Sequence, residues 1–202
     1  MNLSPGWLPP VVITSGEAPS SNSANAWSRR ACNCGDGLPS LQLIAGQTLV
    51  STGAPLGRPK AANAGLDAVS GEFVMFLDDD DWLSASHVEN LVHELQSSPT
   101  SIAVYSTTQR TTPSGELLDE FFARDFDIAF LRRDNFMPIH SVLFRSQALT
   151  AGCRVDESLD IYEDWDFWLQ LSQHTEFIHL KQVKTPIKSL KAILIELGIW
   201  PV

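Results

Sequence analysis

Residues 71–82, GEFVMFLDDDDW, decide the fold of this chain. The apolar run at 73–77 is unbroken, which is typical of a strand buried on both faces of a sheet. The four aspartates at 78–81 end this strand, because adjacent carboxylates repel one another. In open α/β sheets, ligands bind just beyond the carboxyl ends of the strands, and carboxylates there commonly hold a hard divalent cation. The alternative is a solvated acidic turn before a helix that Ser84 caps.

Composition limits the classes of protein that fit. The 202 residues are 44% hydrophobic and 19% charged, which favours one folded domain over 1–202. The net charge of −10 argues against nucleic acid as a partner. Cys32 and Cys34 form a C-x-C without a nearby His, so we interpret them and Cys153 as reduced thiols of a cytoplasmic protein. No stretch reaches the ~18 apolar residues of a membrane span. We therefore expect no integral membrane segment and leave peripheral attachment to a membrane open.

Apolar and turn-rich segments alternate along the chain and predict a strand–helix–strand progression, hence an α/β fold with a mixed, mainly parallel sheet. Pro59 suits the first turn of a helix that leads from Gly57 to the acidic strand. The other predicted strands are 11–13, 41–45, 49–52, 102–105, 139–144 and 177–180. The predicted helices are 57–69, 85–97, 127–132, 146–151, one that starts at 163–164, and 186–197. A hairpin or loop is expected at 106–118.

Other acidic motifs fail at the stretch 78–81. An EF-hand loop needs glycine at its sixth position, which is Leu83 when counted from Asp78. A DDxxD-type diphosphate motif and a phosphatase-type nucleophile motif both fail at Trp82. What remains is a D-x-D-D cluster suited to metal and diphosphate.

A second acidic cluster lies in IYEDWDFW at 161–168. Glu163 and Asp164 stand at the expected start of a helix, whose positive end predicts a lowered carboxylate pKa. An ionised carboxylate in a partly enclosed site can act as a general base toward an alcohol. Trp165 and Trp168 are either core anchors of a capped helix or a shelf on which a sugar ring stacks.

Several of these motifs together resemble the family 2 glycosyltransferases of the GT-A fold. The resemblance begins with NAGL at 63–66, GEF at 71–73 and FLDDDDW at 76–82. The start of the helix at 163–165 is similar to that family's second acidic motif, and MPIHSVLFRSQAL at 137–149 to the strand and arginine turn before it. The implied fold is a three-layer α/β/α sandwich. Residues 41–180 would be its best-matching core, 1–40 an irregular, partial nucleotide-binding half, and 181–202 a C-terminal tail or helix.

The resemblance also implies an activity, the inverting transfer of a sugar from a UDP- or GDP-type donor to an acceptor hydroxyl. It does not identify the acceptor, which is a saccharide, a lipid or a protein. Asp78 would face the nucleotide ribose, with Asp79, Arg58 and Asn63 also binding the donor. For Arg58 a solvated loop arginine is the alternative.

The remaining implied roles concern metal and acceptor. Asp80 and Asp81, in the position of a DXD motif, would hold Mg²⁺ or Mn²⁺, and the cation would neutralise the diphosphate. Asp164 would take the proton of the acceptor hydroxyl, with support from Glu163.

Two further residues are candidates for contact with the acceptor. Trp165 would stack on it, or else pack in the core. His140 would approach the acceptor or the metal, or else be a buried histidine with satisfied hydrogen bonds.

The chain also departs from the family's pattern before residue 40. One strand is expected there, where the family usually has two strands and a helix, and Thr14 or Ser15 stands where a base-binding aspartate is usual. A second interpretation is therefore a non-catalytic remnant, truncated at its N-terminus, with weak metal or sugar binding. A third is a metal-dependent phosphohydrolase, in which water is the acceptor and Asp164 is not required.

Overall fold

The computed structural model describes residues 11–15, 57–78, 81, 83–84, 86–112 and 115–188, with the backbone alone at 11–15 and 182–188. Its strands are β1 (Val11–Ser15), β2 (Phe73–Leu77), β3 (Ala103–Thr111), β4 (Leu117–Phe122), β5 (Val142–Arg145) and β6 (Ile178–Lys188). Its helices are α1 (Arg58–Asp67), α2 (His87–Ser97), α3 (Ile128–Leu131), α4 (Gln147–Thr150) and α5 (Glu163–Leu171), with a 3-10 turn at Ile139–Ser141.

The described elements confirm most of the pattern. The strand at 73–77 has the predicted bounds, and the predicted hairpin is the antiparallel pair β3–β4. Strands β3 and β6 run past their predicted ends because they pair with each other along most of their length. A helix was predicted from residue 186, but residues 186–188 continue β6. The prediction is wrong for these residues. The strands predicted at 41–45 and 49–52 lie outside the described residues, as do Cys32 and Cys34.

The sheet is mixed, as predicted, but the described strands are mostly antiparallel. Their order is β1–β2–β5–β3–β4, and β6 pairs with β3. Four of the five pairings are antiparallel, and β3 with β6 is the parallel one. The expectation of a mainly parallel sheet is therefore wrong for this part of the chain. An apolar run predicts burial but carries no information about the direction of its neighbours.

Helices cover both faces of the sheet, which confirms the three-layer arrangement. Alternate side chains of β2 enter two separate cores. Val74 and Phe76 join the core under α1 and α5, whereas Phe73 and Met75 join the core under α2. All five residues of β2 are buried. The acidic stretch at 78 therefore leaves the sheet between its two helical layers, where β2 ends.

Candidate active site

The acidic stretch turns back on itself where β2 ends. The Asp81 N–H donates to the Asp78 carbonyl at 3.2 Å. Asp79 and Asp80 lie outside the described residues, so their predicted donor and metal roles stay predictions. The acidic stretch does not continue into a helix capped by Ser84, because α2 begins at His87 with Ser86 in the N-cap position.

Arg58, the first residue of α1, joins the two acidic clusters. Its Nη2 lies 3.2 Å from Asp78 Oδ2, and its Nε lies 2.9 Å from Glu163 Oε1. The approach to Glu163 is an ion pair rather than an aligned hydrogen bond, since Nε has no hydrogen-bond partner of good geometry. The Glu163 side chain is only 8% exposed, so Arg58 supplies the positive charge that such a burial requires. The alternative of a solvated loop arginine does not hold.

Asp164 is held in one orientation by two donors. Its Oδ1 accepts from the Trp165 N–H at 2.8 Å, and its Oδ2 accepts from Asn135 Nδ2 at 3.0 Å. The Asn135 amide is itself oriented, because its Oδ1 accepts from the Met137 N–H at 3.1 Å. The carboxylate is thereby fixed next to Glu163, the residue that Arg58 contacts.

The pKa of Asp164 is raised above its ordinary value of 3.8, chiefly because the carboxyl is buried. The hydrogen bond from the Trp165 N–H lowers the pKa, the negative charge of Glu163 raises it, and Arg58 and Asn135 lower it. The expectation of a lowered pKa is therefore wrong for Asp164, since desolvation outweighs the helix N-terminus. A raised pKa brings a carboxylate closer to the range in which it is an effective general base near neutral pH.

His140 lies beside Asp81 because β5 runs antiparallel to β2. The segment that enters β5 therefore meets the segment that leaves β2. His140 Nδ1 lies 3.0 Å from Asp81 Oδ2, and the imidazole is fully buried. Neither ring nitrogen has an aligned hydrogen bond within the part of the chain that the structure describes. The predicted roles of His140, contact with the metal or acceptor on one hand and a buried histidine with satisfied hydrogen bonds on the other, therefore both stay predictions.

An imidazole and a carboxylate are both groups that can bind a divalent cation. Carboxylate oxygens suit Mg²⁺ and Mn²⁺, whereas imidazole is a more usual ligand of zinc, iron or nickel, so this pair does not select between the two predicted cations. No group of three or more possible metal ligands occurs in the described residues, a set that lacks Asp79 and Asp80. Asp81 and His140 are thus two suitable donors of an incomplete set.

Asn63 lies away from these carboxylates and ties α1 to the loop before α5. Its Nδ2 donates to the Val155 carbonyl at 2.8 Å and to Glu157 Oε1 at 3.0 Å, and its Oδ1 accepts from the Val155 N–H at 3.0 Å. Both the nitrogen and the oxygen of the Asn63 amide are therefore hydrogen-bonded within the fold. Donor binding by Asn63 stays a prediction.

The two tryptophans of α5 serve mainly as anchors. Trp168 is fully buried and donates from Nε1 to the Met137 carbonyl at 3.1 Å. Trp165 is partly buried against the same core and donates to the Leu131 carbonyl at 2.6 Å. An acceptor contact by Trp165 stays a prediction.

Two residues of the site, Asn135 and His87, were not predicted from the sequence. Asn135 orients Asp164, and no motif around it distinguishes it from other loop asparagines. His87 is fully buried and donates from Nε2 to the His140 carbonyl at 3.2 Å. Burial, with a smaller effect from the charge of His140, lowers the pKa of His87 to about 3, so His87 is neutral at pH 7. The sequence signal for His87 was its place at the start of a helix, within an apolar pattern that predicts burial.

Known proteins resemble parts of this chain in sequence and in fold. Residues 48–135 match the model of Glycosyl transferase family 2. The chain is similar to that family over this region, which is less than half of its length. Two relatives, a chondroitin synthase of Pasteurella multocida strain Pm70 and a hyaluronan synthase of Pasteurella multocida, are each 26% identical over 133 residues. The match covers 63% of this chain but 13% of either synthase.

Solved structures share the fold of this chain. The S. aureus TarS fragment 1–349 superposes with a TM-score of 0.52 at 15% identity, over 69% of this chain and 42% of that one. The same fragment in complex with UDP gives 0.52 at 16% identity, over 66% and 40%. At this identity the likeness establishes the GT-A fold, which confirms the prediction. Within the described residues, no helix combines the length and apolarity needed to cross a membrane.

Proposed function

We propose that this chain transfers a sugar, with inversion, from a UDP- or GDP-type donor to an acceptor hydroxyl with the help of a divalent cation. The observation that carries the proposal is the position of Arg58. Its guanidinium contacts Asp78 on the donor side and Glu163 on the acceptor side. The two acidic clusters, which are far apart in sequence, therefore form one site.

An inverting displacement needs a base for the incoming hydroxyl and stabilisation of the departing diphosphate. Asp164 supplies the base. It is oriented by Asn135, and its buried carboxyl has a raised pKa. Proton removal by a carboxylate of this kind typically contributes about 10²- to 10⁴-fold in rate. Glu163 and Arg58 fix the surroundings of Asp164 through their ion pair.

A bound cation would supply Lewis-acid stabilisation of the leaving diphosphate. Asp81 and His140 would hold it, with Asp80 next in the sequence. His140 contributes a nitrogen that no described residue hydrogen-bonds.

Calorimetry with UDP- and GDP-sugars, with and without Mn²⁺, tests the proposal. We expect one class of donor to bind, and to bind more tightly with Mn²⁺. Asp164→Asn should leave donor binding nearly unchanged and reduce transfer about 10²- to 10⁴-fold. Asp166→Asn is the matched control, because Asp166 lies on the same first turn but bonds to Gln170.

Each alternative makes a different prediction in these assays. If no nucleotide sugar binds at millimolar concentration, the chain is the non-catalytic remnant. Donor hydrolysis by water that survives Asp164→Asn would instead identify a phosphohydrolase. Equal loss of transfer in the Asp164 and Asp166 variants would contradict the assignment of Asp164 as the base.

A further inference from the structure

Two large apolar side chains stand exposed directly before the candidate base. Ile161 is 63% exposed and Tyr162 is 62% exposed, immediately before Glu163 and Asp164. Within the described residues, the other exposed large hydrophobic residues are on β4. Exposed apolar side chains need explanation when they lie together, and this pair lies at the edge of the proposed active site.

Tyr162 has a backbone conformation that favours glycine. Its φ is 67° and its ψ is 18°, and it is the non-glycine residue with positive φ among those described. From this conformation its carbonyl accepts the Asp166 N–H at 3.0 Å, which starts α5. Its ring contacts Trp165 edge-to-face, with centroids 5.8 Å apart. The ring is therefore held in place while most of the residue stays accessible.

The two tryptophans that were expected to form either core anchors or a sugar shelf are engaged within the fold. Trp168 is fully buried, and Trp165 packs on the core with its indole N–H bonded to Leu131. Tyr162 is the most exposed aromatic residue of this cluster, and it directly precedes Glu163 and Asp164 in the sequence.

We propose that Ile161 and Tyr162 form the surface on which the acceptor stacks, and that the acceptor is a saccharide. This inference rests on the glycosyl transfer proposed above. A pyranose ring offers an apolar C–H face to an aromatic ring and hydroxyl donors to neighbouring carboxylates.

The charges around the shelf favour a saccharide over a phosphate-bearing lipid. The loop that leads to the shelf carries the exposed carboxylates of Asp156, Glu157 and Asp160, and the whole chain has a net charge of −10. These charges repel an anionic headgroup. A neutral sugar incurs no such repulsion, and its hydroxyls can donate hydrogen bonds to the carboxylates.

Saturation-transfer NMR with the methyl glycosides of glucose, galactose and their N-acetylamino derivatives tests the shelf. The variants are Tyr162→Gly, Tyr162→Asn and Tyr162→Phe. Glycine and asparagine adopt the left-handed conformation more readily than tyrosine, so the first two variants should keep the wild-type Tm. Leu117→Ser is the matched control, since Leu117 is 64% exposed on β4.

We expect Tyr162→Gly and Tyr162→Asn to weaken glycoside binding about 10-fold, the loss for about 50 Å² of apolar contact. Tyr162→Phe and Leu117→Ser should bind as the wild type does. Unchanged binding in the glycine and asparagine variants overturns the inference. So does the absence of glycoside binding by the wild type, or binding of anionic lipid vesicles or of a peptide in its place.

Donor binding separates this inference from the proposed function. UDP-glucose, UDP-N-acetylglucosamine and GDP-mannose are titrated against the same variants. If these donors bind while removal of the ring does not affect the glycosides, the shelf is wrong and the glycosyl transfer stands. If no donor binds even to the wild type, the proposed function fails, whatever the glycosides do.

Discussion

Arg58→Ala removes the cation that joins the two acidic clusters, and the structure sets the size of the effect. Breaking a fully buried ion pair costs about 3–5 kcal/mol, whereas an exposed pair contributes about 0–1 kcal/mol. The side chains of Arg58 and Glu163 are 32% and 8% exposed, so their pair lies between these limits. We expect a loss of about 2 kcal/mol in the free energy of unfolding, or roughly 4–8 °C in Tm for a chain of this size.

A double-mutant cycle with Glu163→Gln separates the ion pair from other effects. Glutamine has no charge to leave unpaired, so Arg58→Ala in that background should cost less than about 1 kcal/mol. The expected coupling energy is about 1–2 kcal/mol, measured by urea denaturation. Lys60→Ala removes the same charge from an exposed position on α1 and should leave stability nearly unchanged.

Two results would refute this reasoning. Additivity of the Arg58 and Glu163 substitutions within about 0.5 kcal/mol would mean that the two side chains do not interact. Equal stability of the Arg58 and Lys60 variants would mean that the buried position of Glu163 needs no cation. Either result would also remove the observation on which the proposed function rests.

Four further predictions concern neighbouring contacts. Asn135→Ala removes a hydrogen bond that lowers the pKa of Asp164, so the acid limb of the pH profile of kcat/KM should move to higher pH; an unmoved limb would exclude Asp164 as the base. The pKa of Asp164 is raised in the folded state. Its contribution to stability is therefore present below the ordinary pKa of 3.8 and is lost as the pH rises through the folded-state pKa. Asp164→Asn should remove this fall from a plot of the free energy of unfolding against pH. Asn63→Ala leaves the Val155 N–H without its acceptor, so the free energy of unfolding measured by chemical denaturation should fall by about 1–3 kcal/mol. An unchanged free energy of unfolding would show that this hydrogen bond does not stabilise the fold. His140→Gln should weaken Mn²⁺ binding in calorimetry at least about 10-fold, and retained affinity would place the cation elsewhere.

The sequence predicts those features that depend on local pattern. The apolar run ending at Asp78 marks a buried strand and its end, because alternate side chains enter two cores. Pro59 marks the start of α1, and Glu163 the start of α5. These predictions need only the identity of neighbouring residues, and the structure agrees with each.

Features that depend on long-range packing are not in the pattern. The contact of His140 with Asp81 follows from the antiparallel direction of β5, which apolar residues do not encode. The sign of the pKa shift at Asp164 depends on burial by residues distant in sequence, and this burial outweighs the nearby helix terminus. The motif around Asn63 indicates a donor ligand, whereas its side chain is engaged by Val155.

The two attachments of α1 have a mechanical consequence. Arg58 and Asn63 lie about 7.5 Å apart along the helix axis, and both reach the segment that contains α5 or leads into it. A rod fixed at one point can pivot, but a rod fixed at two points moves only with the body to which it is fixed. The donor and acceptor sides of the site should therefore keep a constant spacing, with α1 as the strut between them.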